Sequence, residues 1–167
     1  MEKKILPARI RPITEHDSEL MIAFFSSFSE ETRRFFTPHE IDPEGLRRLA
    51  RGIPSNPTAR RFMAAVVEGG KEVMAGYVFF WEWNKMVPWL GIGVSDRFQG
   101  RGLGNQMMEF AIRLAKEHHK GGILLTTWKD NLRAQRLYQK FGFEIIGQEK
   151  NLIEYLMILN FPDPNFA

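Results

Sequence analysis

The sequence predicts an α/β chain of the α+β kind, with a mixed, mostly antiparallel central sheet of about six or seven strands and about four flanking helices. Three observations predict it. Runs with strand character and runs with helical periodicity follow one another in the order β α α β β β α β α β β. A helical stripe from Leu103 to His119 joins two short apolar strands, so that one connection is a parallel crossover at the middle of the sheet. Gly69-Gly70 stands between two β-rich runs, which is a hairpin signal.

Each element has its own reason. Ala8 to Ile13 alternates as an edge strand does, with Pro12 tolerated near an end. Thr14-Glu15-His16-Asp17 has the form of a capping box, and Leu20, Met21, Phe24, Phe25 and Phe28 follow at helical spacing. Ser29 to Thr32 starts a second short turn. Asp42-Pro43-Glu44 starts a further helix, with Leu46, Leu49, Ala50 and Ile53 on its buried face. Phe62 to Glu68 and Val73 to Trp83 are the two arms of the hairpin, and Gly76 marks a bulge or a close backbone approach. After the strand Trp89 to Val94 comes the helix with Leu103, Met107, Phe110, Ala111, Leu114 and His118 in one stripe, closed by Gly121-Gly122. Ile123 to Thr127 is an apolar strand for a position covered on both faces. Asp130 or Asn131 caps the last helix, with Ala134, Leu137, Tyr138 and Phe141 on one side and Gly142 at its end. Phe143 to Ile146 and Leu152 to Leu159 form a final strand pair, and Pro162 and Pro164 close the chain. No repeat or low-complexity segment interrupts this order, so residues 1–167 read as one domain.

Composition narrows the class. With 44% hydrophobic and 26% charged residues the chain has enough apolar material for one core. It contains no cysteine, which removes disulfides and thiolate ligands and fits a cytoplasmic protein. No apolar run approaches the ~20 residues of a membrane span, and Met1 to Pro7 carries no signal-peptide apolar region. The net charge of +3 comes from lysines and arginines spread along the chain, which reads as a solvated surface rather than a nucleic-acid patch. No histidines stand at metal-ligand spacing, so no metal is expected.

The most informative stretch is Val87 to Asn105, VPWLGIGVSDRFQGRGLGN, a strand that enters a glycine-punctuated loop opening onto a helix. The first N–H groups of a helix have no partner inside it and carry part of its dipole, so an anion placed there is stabilised. The loop lacks the G-x-G-x-x-G spacing of a dinucleotide fingerprint and the Gly-Lys-Ser/Thr of a P-loop. Gln99-Gly100-Arg101-Gly102-Leu103-Gly104 instead reads Q-x-x-G-x-G and resembles the pyrophosphate loop of the GNAT superfamily of N-acetyltransferases. Asn131 to Phe143, NLRAQRLYQKFGF, resembles the second signature of that superfamily, N-x-x-A-x-x-L-Y-x-K-x-G-F, in the same order and spacing. Ile10 to Asp17 resembles the opening of the fold, and Ser29 to Phe36 resembles a segment of a bacterial subgroup, some of whose members act on protein lysines.

The resemblance implies an acyl-CoA N-acyltransferase fold whose parallel central strands splay apart, with the pantetheine arm of acetyl-CoA bonded to strand main chain in the gap. Carried onto this sequence, Ile92, Gly93 and Val94 supply those main-chain groups, and Gly93 leaves the thioester unobstructed. The backbone from Gln99 through Gly100, Arg101, Gly102, Leu103 and Gly104 to Asn105 holds the pyrophosphate, with Arg101 available for charge. Tyr138 is the candidate general acid: a phenol of pKa ~10 is protonated at neutral pH and can donate to the departing thiolate. It also reads as a buried aromatic beside Leu137 and Phe141. Asn131 reads both as a helix cap and as a cofactor contact.

The base is less defined. An alkyl amine of pKa ~10.4 pays roughly 4.6 kcal/mol to be neutral at pH 7, so a route for its proton is expected. Many GNAT relatives place a glutamate on the central strands, but Trp89 to Val94 and Ile123 to Thr127 contain no carboxylate. Glu82, within the long aromatic strand, and a water chain are the remaining candidates. Trp81, Trp83, Trp89 and Trp128 can wall an acceptor pocket or sit in the core, and only Trp128 lies just beyond the end of a central parallel strand.

The reading is therefore a direct acetyl transfer from acetyl-CoA to a primary amine, without a cysteine acyl-enzyme, metal, nucleic acid or membrane partner, in a chain that can form a homodimer. Short loops at Pro54 to Arg60 and Asn84 to Val87 favour a small amine or amino-acid derivative over a protein lysine or N-terminus. Two other classes stand beside it: a non-catalytic CoA-binding sensor and a basic nucleic-acid-binding domain, the latter expected to bind DNA with a steep salt dependence.

Overall fold

A computed structural model describes residues 5–149 and 151–162. Pro164 and Met1 to Lys4 lie outside them. The elements are β1 (Arg9–Pro12), α1 (Ser18–Ser26), α2 (Glu30–Phe35), α3 (Pro43–Gly52), β2 (Arg60–Glu68), β3 (Lys71–Trp81), β4 (Trp89–Val94), α4 (Leu103–Glu117), β5 (Gly122–Trp128), α5 (Leu132–Lys140), β6 (Glu144–Glu149) and β7 (Glu154–Asn160). The strands form one seven-stranded sheet in the order β1-β2-β3-β4-β5-β7-β6. Every neighbouring pair is antiparallel except β4 and β5, which run parallel across the α4 crossover.

Among the described residues the α-helices number five rather than about four, because Ser29 caps a separate α2 by accepting from the Thr32 N–H. Thr14 and Asp17 form the capping box expected of them, and the Asp42 side chain accepts from the N–H groups of Glu44 and Gly45 ahead of Pro43. Gly69 and Gly70 both have positive φ in the β2–β3 turn. Three boundaries differ from expectation. β3 stops at Trp81, so Glu82 and Trp83 are not strand residues. α4 ends at Glu117 through a left-handed His119 (φ 54), while Gly122 already belongs to β5. Asn151 and Leu152, with φ of 55 and 69, form the turn before β7, so the bounds of the last strand pair move by one to three residues.

β3 has core on both faces. Val78 and Phe80 face a cluster with Phe62, Leu90, Met107 and Met108 on the α4 side, while Tyr77 and Phe79 face Met21, Phe24, Phe25 and Leu46 of α1 and α3. Double coverage explains why this strand is apolar without alternation. The register between β2 and β3 slips between Ala64 and Ala65, next to Gly76, where a Cβ would stand 2.7 Å from the Met107 sulfur. Both readings of Gly76 therefore hold at once.

Ion pairs of Arg9 and Arg11 tie the edge strand to this body. Arg11 donates to both Asp17 oxygens at 2.9 and 2.8 Å and to Glu72, and Asp17 also accepts from the Thr14 N–H at 2.8 Å. The hydrogen bond from Arg11 is the main cause that lowers the Asp17 pKa from 3.8 to about 2. A depressed carboxylate contributes stability that is complete above about pH 4 and lost as pH falls through about 2. Asp17→Asn is expected to cost about 2 kcal/mol at pH 7. Urea denaturation of both proteins measures the difference, which should shrink below pH 3 towards the folded-state pKa of about 2.

Candidate active site

β4 is paired with β3 along its whole length, from Gly76↔Val94 to Trp81↔Trp89. β5 is likewise paired with β7 from Gly122 to Trp128. Between β4 and β5 only Trp89 and Leu124 are in register. The sheet is thus two antiparallel bodies held together at one end, and beyond Trp89 the strands part. The gap opens into a cleft of about 1450 Å³.

The glycine loop closes one end of the cleft. Gly100 and Gly102 both adopt left-handed φ, 71° and 82°, and Gly102 is the N-cap of α4. The helices α2, α3 and α5 carry side-chain caps from Ser29, Asp42 and Asn131, whereas no side chain caps α4. The amino end of a 15-residue helix therefore presents its N–H groups to the cleft.

Of the residues selected by sequence, Ile92, Gly93, Val94, Gln99, Gly100, Gly102, Leu103, Gly104, Asn105, Asn131, Tyr138 and Glu82 all border this cleft. Arg101 does not: its carbonyl accepts from the Leu6 N–H at 3.0 Å, and its guanidinium lies 6.0 Å from the Phe98 ring centroid. Gln99 acts as a brace, donating to the Val94 carbonyl at 3.1 Å and accepting from Arg133 at 2.6 Å. Asn105 accepts from Lys140 at 2.8 Å, so the second signature holds the first in place through two side-chain bonds. Asn131 caps α5 by accepting from the Ala134 N–H at 3.2 Å.

Tyr138 faces the cleft from α5 with only 6% of its surface exposed. Burial raises its phenol pKa, which keeps it protonated. Among the described residues no group hydrogen-bonds its hydroxyl; its ring leans on Phe143 at 5.9 Å. Glu82 requires correction: it lies one residue past the strand, exposed, with φ 52, because β3 ends where the chain turns to bury Trp83. Trp81, Trp89 and Trp128 line the cleft while Trp83 is in the core at 5% exposure.

The space over Gly93 is not empty. A Cβ there would lie 2.5 Å from the Phe36 ring, so this glycine makes room for an aromatic from the segment after α2. Together with α2 that segment straps the cleft mouth: Thr32 donates to Asp96 at 2.8 Å on the loop side, Arg34 pairs with Asp130 at 2.6 Å, and Phe35 packs on Trp128 at 6.3 Å. Phe79 lies over Gly91 in the same way, in a row of stacked rings with Tyr77 and Trp81. The polar contacts of the strap join residues 64 and 96 positions apart and leave no local mark in the sequence.

Residues 21–143 match the Acetyltransferase (GNAT) family. The chain belongs to that family. The solved GNAT acetyltransferase from Streptococcus pneumoniae is 23% identical and superposes with a TM-score of 0.70 over 93% of this chain and all of its own. The spermidine N-acetyltransferase from Vibrio cholerae, solved in complex with CoA and spermine, is 16% identical with a TM-score of 0.75 over 91% of this chain and 94% of its own. The spermine/spermidine N(1)-acetyltransferase of Bacillus subtilis is 39% identical over 56 residues, 33% of this chain and 37% of that protein. The chain thus aligns with about two fifths of the length of the curated relatives it matches.

CoA suits the residues of this GNAT chain. The uncapped α4 end and the two left-handed glycines offer N–H donors for a diphosphate. Ile92 to Val94 form a strand edge that β5 does not pair, available to an extended arm. Among the described residues no group of three or more histidines and carboxylates could hold a metal ion.

Proposed function

We propose that this chain is an N-acetyltransferase that moves the acetyl group of acetyl-CoA directly to a primary amine of a small molecule, within a single domain of residues 1–167. The observation that carries the proposal is that the uncapped end of α4 and the Tyr138 phenol open into the same cleft, at the place where β4 and β5 part. In this reading the N–H groups around Gly102 to Asn105 hold the diphosphate, and the main chain of Ile92 to Val94 aligns the pantetheine arm. The amine attacks the thioester carbon, the carbon–sulfur bond breaks, and Tyr138 gives its proton to the leaving sulfur. The amine proton leaves towards Glu82 or through water at the open mouth.

The polyamine acetyltransferases among the relatives support a small amine as acceptor. A panel of amines incubated with acetyl-CoA tests the reading, with thiol release and the mass gain of one acetyl group as readouts. CoA binding without thiol release from any amine would leave a non-catalytic CoA-binding module in its place.

A further inference from the structure

Arg61 borders the main cleft together with Arg34 and Arg133. Arg61 lies on β2 in register with Phe79 of β3, which is in register with Gly91 of β4, so the three side-chain positions share one face of the sheet. Its guanidinium lies 5.5 Å from the Phe79 ring centroid and donates to the Tyr77 hydroxyl at 2.5 Å. Tyr77 is fully buried, and burial pushes its phenol up to about 12, so it stays a neutral acceptor. The guanidinium is thereby fixed, half-buried, on the wall between the main cleft and a side pocket of about 410 Å³.

Among the described residues no carboxylate pairs with it. Glu40, which shares the side pocket, is bound to Arg48 at 2.6 Å, and Asp130 of the main cleft is bound to Arg34 at 2.6 Å. Glu149 and Glu154 border the cleft from β6 and β7, on the other side of β5. A half-buried guanidinium held rigid and left without a counter-anion matches a carboxylate in planar, two-point geometry.

We infer that Arg61 receives a carboxylate on the acceptor, which makes the substrate an amine bearing an anionic group at its far end. This rests on the acetyltransfer reading above and names the substrate class for it. The spacing narrows the class further. β2 and β4 are two strand spacings apart, roughly 10 Å, and the arginine side chain spans part of that distance towards the gap. An α-amino group adjacent to the bound carboxylate falls short of the gap; an amine several bonds away, as in an ω-amino acid or the side-chain amine of a diamino acid, reaches it. A polyamine would bring a second cation to Arg61 and gain nothing there.

Aminocaproate and hexamethylenediamine share a six-carbon chain and differ in a carboxylate against an ammonium, so they separate the two classes. The wild-type protein is expected to acetylate aminocaproate with at least tenfold higher kcat/KM. Arg61→Gln should lower the ratio of the two kcat/KM values by tenfold or more, through KM rather than kcat, and Arg61→Lys should restore part of it. Preference for the diamine in the wild type, or an equal loss for both amines in Arg61→Gln, overturns the assignment while leaving acetyltransfer intact. Calorimetry in the presence of CoA reads the same site without turnover. Aminocaproate bound by the wild type and lost in Arg61→Gln, with neither amine acetylated, upholds the carboxylate site, and the amine panel then decides acetyltransfer separately.

Discussion

Replacing Tyr138 by phenylalanine is expected to lower kcat by about 10² to 10⁴ while leaving KM for acetyl-CoA and the melting temperature nearly unchanged. The substitution keeps the ring that leans on Phe143 and removes only the hydroxyl. That hydroxyl has no hydrogen-bond partner among the described residues, so the fold loses no bond with it. The departing thiolate, whose acid has pKa ~8.5, is where the proton is needed. Burial raises the pKa of Tyr138, which leaves the phenol protonated throughout the neutral range, so the wild-type rate should show no alkaline limb from this group near its ordinary value of 10.0. Saturating single-turnover kinetics with a competent amine separates the chemical step from release. An unchanged rate in the variant would place the acid elsewhere and reduce Tyr138 to a packing residue of α5.

What could be read from the chain without its structure follows a physical division. The capping box at Thr14 to Asp17, the Asp42-Pro43 start and the Asn131 cap are legible because a cap is a contact between residues two or three positions apart. The two GNAT signatures are legible because each fixes a backbone shape within a few residues. Strand ends are not. Trp83 is as apolar as Trp81, and only the tertiary fold decides that one stacks on Trp89 in the cleft while the other is buried beside Phe80. Glu82 between them therefore reads as a strand residue, although the strand stops one residue earlier. Nor can a sequence say that Gly93 lies under Phe36, or that Gln99 braces the loop to Val94 and Arg133. Arg61 carried no local signal at all: its significance is the absence of a carboxylate partner, which only the folded arrangement reveals.

Introducing glutamate at Gly102 is expected to reduce CoA affinity by a hundredfold or more with little change in secondary structure. Gly102 has φ 82 at the N-cap of α4, so any side chain there pays the left-handed penalty of about 1 kcal/mol. A carboxylate at the amino end of a helix recovers part of that, since the macrodipole favours negative charge by roughly 0.3–1 kcal/mol. The fold is thus nearly compensated. The ligand is not: the new anion occupies the position proposed for the diphosphate, and two like charges about 5 Å apart at an effective dielectric near 20 repel by roughly 3 kcal/mol per pair. Gly102→Ala separates the contributions, because it carries the backbone strain without the charge and should lose far less affinity. Raising ionic strength should restore binding to the glutamate variant more than to the alanine variant, as screening acts only on the charge. Titration with CoA beside circular dichroism reads both quantities. Equal affinity in the wild type and the glutamate variant would mean that the diphosphate does not meet the amino end of α4, and the direction assigned to the pantetheine arm along Ile92 to Val94 would have to be abandoned with it.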